Sequence, residues 1–280
     1  MLKLGISTWS LLGLDVYSAV KAIGDAGVEY VELWGEVPHA YPDWVDRNRL
    51  RDTISAFDMA LTMHAPFTDL NPASPFQPGK GAVEKSLEQF VEFSAFLGAT
   101  IVTVHPGSVH SEVLVPESNA NSIGAIRKMV KAAGGRLSIS VENQAKSTSK
   151  YHHPLASTTE SLERILGEAP GARFTLDTGH AHVNGQDSLG MAEKFGDRLT
   201  EVHLSDNDGR SDDHLIPGRG NIPFRGLMDR LSKTDVLLCM ELNPHRYTEE
   251  EVLGSIAEVK AKLLTTRGQR RLDSSKSGNI

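Results

Sequence analysis

The sequence predicts an α/β chain folded as a (β/α)8 barrel, on three observations. Short apolar runs and helix-like stretches alternate eight times along the chain. Several runs are almost continuously apolar, as parallel strands covered on both faces require. From the third run onward, nearly every run ends on a His, Asp or Glu. Carboxylates and imidazoles are poor strand formers, so their recurrence at strand exits calls for a reason other than core packing. If the strands close on themselves, these side chains converge at the C-terminal mouth, where a divalent metal ion could be held.

The strand runs read, in order, Lys3–Ser7, Tyr30–Leu33, Ala60–Met63, Thr100–Val104, Leu137–Val141, Arg173–Leu176, Thr200–Leu204 and Val236–Met240. Between them lie amphipathic segments. Asp15–Ala26 sets Val16, Ala19, Val20 and Ile23 on one face and stops at Gly27, a residue suited to a helix C-cap. Val83–Leu97 repeats Val83, Leu87, Phe90, Val91 and Leu97 before Gly98, and Ala120–Ala133 runs into Gly134–Gly135. Thr248–Leu264, with Val252, Ile256, Val259 and Leu263 in register, is the last helix. Regular alternation of this kind predicts a closed barrel rather than an open sheet. Two connections stand out as long and irregular: the proline-rich His64–Gly81 and the Asp- and Gly-rich Ser205–Pro223. Both leave strand C-termini, where barrel active sites are built.

Length and composition bound the answer. With 280 residues, one barrel domain over 1–267 is expected, followed by a polar tail over 268–280 read as disordered. Twenty-nine basic against 36 acidic residues give a net charge of −7, which argues against unselective nucleic-acid binding through overall charge. Cys239 is the only cysteine, so no disulfide partner exists within the chain, and its apolar surroundings predict a buried, inert thiol. No apolar run approaches the ~20 residues of a membrane span, and the first residues read as a strand rather than a signal peptide. A soluble cytoplasmic protein with no membrane partner is expected; no sequence feature sets an oligomeric state.

Glu142, Asp177, His203 and Glu241 leave four successive strands. Together they make a donor set for Zn2+, Mn2+ or Mg2+, and the imidazole favours the transition metals. Singly, each would be read as a helix cap or an ion pair. Five further groups widen the set: His64 and His105 at the third and fourth strand ends, His180 three residues past Asp177, and the Asp212-x-His214 pair in the second long loop. Nine such groups exceed what one ion needs. They suit two or three ions, with Glu142 as a bridging carboxylate.

These motifs, in order, resemble the xylose-isomerase-like TIM barrels, a superfamily that includes endonuclease IV and the sugar epimerases. Similarity to endonuclease IV is carried by HAPF at 64–67, TVHPGS at 103–108, VEN at 141–143 and LDTGHAHVNG at 176–185. EVHLSD at 201–206, DDHLIPGRGNI at 212–222 and MELN at 240–243 complete it. That resemblance implies three zinc ions on His64, His105, Glu142, Asp177, His180, His203, Asp212, His214 and Glu241. It implies hydrolysis of a phosphodiester at an abasic DNA site, with Glu142, Glu241 and His180 as the catalytic groups. The first strands, LKLGISTWS and GVEYVELWGE, instead look like sugar isomerases and epimerases. They imply the alternative: one Mn, Mg or Zn ion, a small sugar substrate, and Glu142 and Glu241 as proton shuttles. In that reading His180 and Arg210 bind hydroxyls and Trp9 and Trp34 wall the sugar; a related polyol lyase is a third possibility. Where ketose epimerases carry a second Glu and an Arg, this chain has Thr148 and Gly209, with Arg210 following.

Overall fold

The computed structural model describes residues 2–264. Eight parallel strands close into a barrel in the order β1 (Lys3–Ser7), β10 (Leu237–Met240), β9 (Leu199–Leu204), β8 (Arg173–Asp177), β6 (Ser138–Glu142), β4 (Ile101–Val104), β3 (Ala60–His64) and β2 (Tyr30–Trp34). All eight expected runs are barrel strands, with ends moved by a residue or two. Two short strands lie outside the barrel: β5 (Ser108–Val109) pairs antiparallel with β7 (His153–Pro154), a feature absent from the sequence reading. The expected end of the domain at residue 267 and the polar tail lie outside the described residues.

The strands carry two different faces. Val102 and Val104, Ile139 and Val141, and Phe174 and Leu176 are buried apolar residues. The residues alternating with them are Thr103, Ser140, Glu142, Thr175 and Asp177, also buried but polar. Side chains alternate along a strand, so one set packs on the helices and the other points at the barrel axis. Hydrogen bonds across the axis prove the second placement. Thr62 on β3 donates to Glu201 on β9 at 3.0 Å, and Thr103 on β4 donates to the other Glu201 oxygen at 3.2 Å. Thr103 and Thr175 pair at 2.9 Å, and Thr175 donates to Ser140 at 2.7 Å. A barrel normally fills this space with Val, Ile and Leu; here a satisfied polar network takes their place. Between β8 and β9 the register shifts at Phe174/Thr175, so that Glu201 and His203 lie beside Thr175 and Asp177 and Thr200 is the extra residue of a bulge.

Helices surround the barrel and are capped where the sequence has the right residue. Asp15 accepts from the Tyr17 and Ser18 amides at the start of α1 (Val16–Asp25), and Asp46 does the same for α2 (Arg47–Ser55). α3 (Gln77–Leu97) ends at left-handed Gly98 and α4 (Val115–Ala133) at left-handed Gly134. Both begin several residues before their apolar periodicity shows, with a proline in the first turn, where its missing N–H costs nothing. The first long loop is therefore shorter than expected, ending before Gln77. Thr158 and Thr248 build capping boxes on α5 (Thr159–Glu168) and α9 (Glu249–Val259), the latter continuing as a π-helical turn through Leu264. α6 (Thr178–Val183) and α7 (Ser188–Lys194) are short; α8 (Phe224–Leu231) follows the second long loop. No helix among the described residues is long and apolar enough to cross a membrane.

Candidate metal centre

The nine donor residues meet at the C-terminal mouth in three groups, each with its ligand atoms within 4.8 Å of one another. Glu142, Asp177, His203 and Glu241 form the first; His64 and His105 join Glu142 in the second; His180, Asp212 and His214 form the third. His64, Glu142 and Asp177 are the last residues of β3, β6 and β8, and Asp177 pairs in register with His203. His105 follows β4 and Glu241 follows β10 directly. Strand ends thus fix six donors; α6 brings His180, and the second long loop brings Asp212 and His214.

Glu142 is the hub. Its Oε2 lies 3.2 Å from Nε2 of both His64 and His105, and its Oε1 lies 3.2 Å from His180 Nδ1 and 3.6 Å from His203 Nδ1. Three of the five imidazoles are anchored to the backbone through Nδ1. His64, His180 and His214 each present Nδ1 to a backbone carbonyl, at Ala65 (2.9 Å), Asn143 (2.8 Å) and Glu241 (3.0 Å). A carbonyl can only accept, so Nδ1 carries the proton and Nε2 is free to ligate. Asp177 divides its two oxygens: Oδ1 caps α6 by accepting the His180 amide at 2.6 Å, while Oδ2 has no hydrogen-bond partner. Cap and donor are one residue.

The donor set fits a divalent cation. Glu142 Oε1, Asp177 Oδ2, His203 Nδ1 and Asp212 Oδ1 are buried polar atoms without a hydrogen bond, an expensive condition unless something charged completes them. Electrostatics point the same way. Burial opposes charge throughout, yet Glu142 lifts His64 to about 9 and Asp212 lifts His214 to about 9. Against the same burial, Asp177 and Asp212 raise His180, and Glu32 and Glu142 raise His203, well above the usual imidazole range. Glu142 is held well below the carboxylate range, despite burial, by His203 and His105. Burial wins at two groups, raising Asp177 to about 6 and lowering His105. In the absence of an ion, then, protons on the histidines balance the carboxylates. Ions and protons compete, so loading a divalent ion at pH 7 should release protons, and affinity should rise with pH toward about 9. Calorimetry in buffers of different ionisation enthalpy measures this; a heat independent of buffer would contradict it.

Above the donors lies a cavity of about 200 Å3 lined by Trp9, Trp34, His64, Phe67, His105, His180, Asp212, His214 and Glu241. Trp9 meets the His214 ring edge-on at 4.9 Å, and Phe67 lies 4.4 Å from the His105 ring. Both tryptophans line this cavity. Glu36 pins the Phe67 wall by accepting the Phe67 and Thr68 amides at 2.6 and 2.7 Å. Of the three expected catalytic groups, Glu241 and His180 line the cavity, and Glu142 sits beneath it, fully buried. Arg210 does not reach the cavity: its side chain is 88% exposed and pairs with Asp208 at 3.5 Å. It follows Gly209, which takes φ +84 in the turn, and the chain there leads the side chain outward.

The loop carrying Asp212 and His214 is moored by Asp206, which the sequence reading passed over. Its carboxylate accepts four backbone amides: Asn207 (2.9 Å) and Ile222 (3.1 Å) on Oδ1, Gly218 and Gly220 (both 2.9 Å) on Oδ2. Gly220 must be glycine, because a Cβ there would run into that carboxylate. His214 itself is held in the left-handed region at φ 45, a strain of about 1 kcal/mol. Sequence reading also missed Glu32 and Glu201, both fully buried on axis-facing positions. Their signal was available: each stands two residues before Trp34 or His203, on the same strand face. Cys239 is buried beside Glu32, and burial raises its thiol well above the usual range, as an inert cysteine requires.

The chain is thus a closed parallel barrel with imidazoles and carboxylates, potential metal ligands, gathered at its C-terminal mouth. The family is shown by comparison: the sequence model of the xylose isomerase-like TIM barrel family matches residues 20–260, and the chain belongs to that family. The uncharacterized protein MJ1311 of Methanocaldococcus jannaschii is 26% identical over 243 residues, covering 83% of this chain and 80% of that protein. Fructoselysine 3-epimerase of Shigella flexneri is 22% identical over 238 residues, covering 81% and 84%. Among solved structures, a D-tagatose 3-epimerase-like protein superposes with a TM-score of 0.82 at 25% identity, over 93% of this chain and 96% of that one. These similarities favour the isomerase or epimerase alternative over the endonuclease IV reading, and a small sugar over abasic DNA.

Proposed function

We propose that the protein is a divalent-metal-dependent isomerase or epimerase of a small sugar or sugar derivative. The observation that carries this is the cavity: about 200 Å3, below the ~300–1,000 Å3 of sites for drug-sized ligands, floored by donors and walled by Trp9, Trp34 and Phe67. Such a space suits a compact polyhydroxylated ligand. An ion on Glu142, Asp177, His203 and Glu241 would supply the positive charge that polarises a carbonyl and makes the adjacent C–H acidic. Glu241, ionised and facing the cavity, is placed to take that proton. Glu142 is the second carboxylate available for its return, reached from the cavity only past the histidines. His180 and His214, whose Nε2 atoms each lie 3.1 Å from Asp212 Oδ2, line the cavity beside such a ligand. Thr148 and Gly209 supply neither the carboxylate nor the guanidinium of the ketose epimerases, so recognition of the far end of the substrate differs from theirs.

A second reading, phosphodiester hydrolysis at a site of up to three zinc ions, is favoured by one specific observation. His64, His105, Asp212 and His214 extend the donor set beyond what a single ion uses. One pair of measurements separates the two. The metal-loaded protein, assayed by NMR in D2O with D-fructose, D-tagatose, D-allulose and fructoselysine, should exchange a carbon-bound proton next to the carbonyl, with one ion per chain by elemental analysis. No exchange with any of them, together with three zinc ions per chain and incision of an abasic duplex, would overturn the first reading in favour of the second.

A further inference from the structure

We propose that Glu32 is a positioning residue of the metal centre, holding the His203 ring so that Nδ1, not Nε2, faces the ion. This rests on reading Glu142, Asp177, His203 and Glu241 as the ion-holding set. Glu32 lies in the middle of β2, fully buried, on the axis-facing side of the strand. Its Oε2 accepts His203 Nε2–H at 3.1 Å, and its Oε1 faces the Cys239 thiol at 3.7 Å. The ring is thereby turned with Nδ1 3.4 Å from Glu241 Oε2 and 3.6 Å from Glu142 Oε1, hydrogen-bonded to nothing.

Two features make this more than a packing contact. First, the other anchored histidines, His64, His180 and His214, rest on neutral backbone carbonyls. Of these four, His203 alone has its anchoring nitrogen, the one turned away from the donor group, on a carboxylate. A charged acceptor makes a stronger hydrogen bond and a more electron-rich imidazole. Second, a carboxylate at this depth is costly unless compensated. Among the described residues its one ion-pair partner is His203, and its other close neighbours, Glu201 and Cys239, are themselves acidic groups. Glu32, Glu201 and Cys239 lie within 4.8 Å of one another. They are not a second ion site, because both Glu201 oxygens are already taken by Thr62 and Thr103. What the arrangement explains is a carboxylate–imidazole–ion relay in which Glu32 fixes the tautomer and angle of His203.

The test measures Zn2+ affinity by chelator competition and the visible spectrum of the Co2+-loaded protein, for the parent, Glu32→Gln and Cys239→Ala. Glu32→Gln should weaken Zn2+ binding by about 10–100-fold and shift the Co2+ bands. Cys239→Ala, which leaves His203 anchored, should bind Zn2+ as the parent does. Should the Gln variant not accumulate folded, Glu32→Asp, one methylene shorter, is measured in its place with the same expectation. The inference is overturned if the parent binds Zn2+ and the Glu32 variant matches it within about threefold with an unchanged Co2+ spectrum. It is overturned equally if both substitutions weaken binding alike, which would mark a packing effect. A parent that binds no divalent ion would overturn the ion-holding reading itself.

Discussion

Replacing Glu241 by Gln is expected to leave the barrel folded and to lower turnover by about a thousandfold or more, the scale of a lost general base combined with a lost ligand charge. Glu241 follows β10, lines the cavity, and lies 3.4 Å from His203 Nδ1. Although burial works against it, His203 draws its pKa down to about 2, so it is ionised at any working pH. The amide keeps the shape and removes both the negative charge and the proton-accepting oxygen. Both readings of the reaction need that carboxylate, one for a C–H proton and the other for a water molecule. Deuterium exchange and thermal melting of the same sample give the two halves of the answer. Exchange at the parental rate would show that the strand-end carboxylate is not central.

Asp206→Ala should produce the largest loss of stability away from the donors. It strips the partner from four backbone amides at once, in a loop whose polar groups are partly enclosed. Hydrogen bonds to a charged acceptor are worth about 1.5–3 kcal/mol each, but a loosened loop regains some of that from water. A net loss of about 3–5 kcal/mol follows, lowering the melting temperature by about 10 °C in a domain of this size. Because the same loop carries Asp212 and His214, metal capacity should fall with it. A variant melting within about 2 °C of the parent would show that the backbone holds the loop without its carboxylate.

How much of this was legible in the sequence depends on where each residue's partner lies. The strand ends declared themselves: a His or Glu closing an apolar run conflicts with strand propensity, and the conflict marked His64, Glu142, Asp177, His203 and Glu241. Asp177 shows why a single position could not decide, since the helix-cap reading and the donor reading are both true of different oxygens. The barrel interior was not legible. Glu201 is satisfied by Thr62 and Thr103, 139 and 98 residues away in sequence, and only strand closure brings them together. Runs such as Leu137–Val141 and Arg173–Leu176 read as almost continuously apolar, whereas their alternate residues face a polar axis. Arg210 failed for a different reason: its position in sequence was adjacent to a suitable place, but a glycine turn sets the direction of the side chain, and spacing alone carries no direction.

Thr200 gives β9 one residue more than β8. A strand has only two sides, so an insertion of one is a change of parity, and everything beyond it swaps between axis and helix layer. Were Thr200 an ordinary strand residue instead of a bulge, alternation from Leu199 would turn Val202 toward the axis and send His203 among the helices. The facing of Glu201 and that of the imidazole above it therefore share a single origin in chain phase. A half-step of this kind has no intermediate: it is present or absent, and the facing of Glu201 and His203 goes with it.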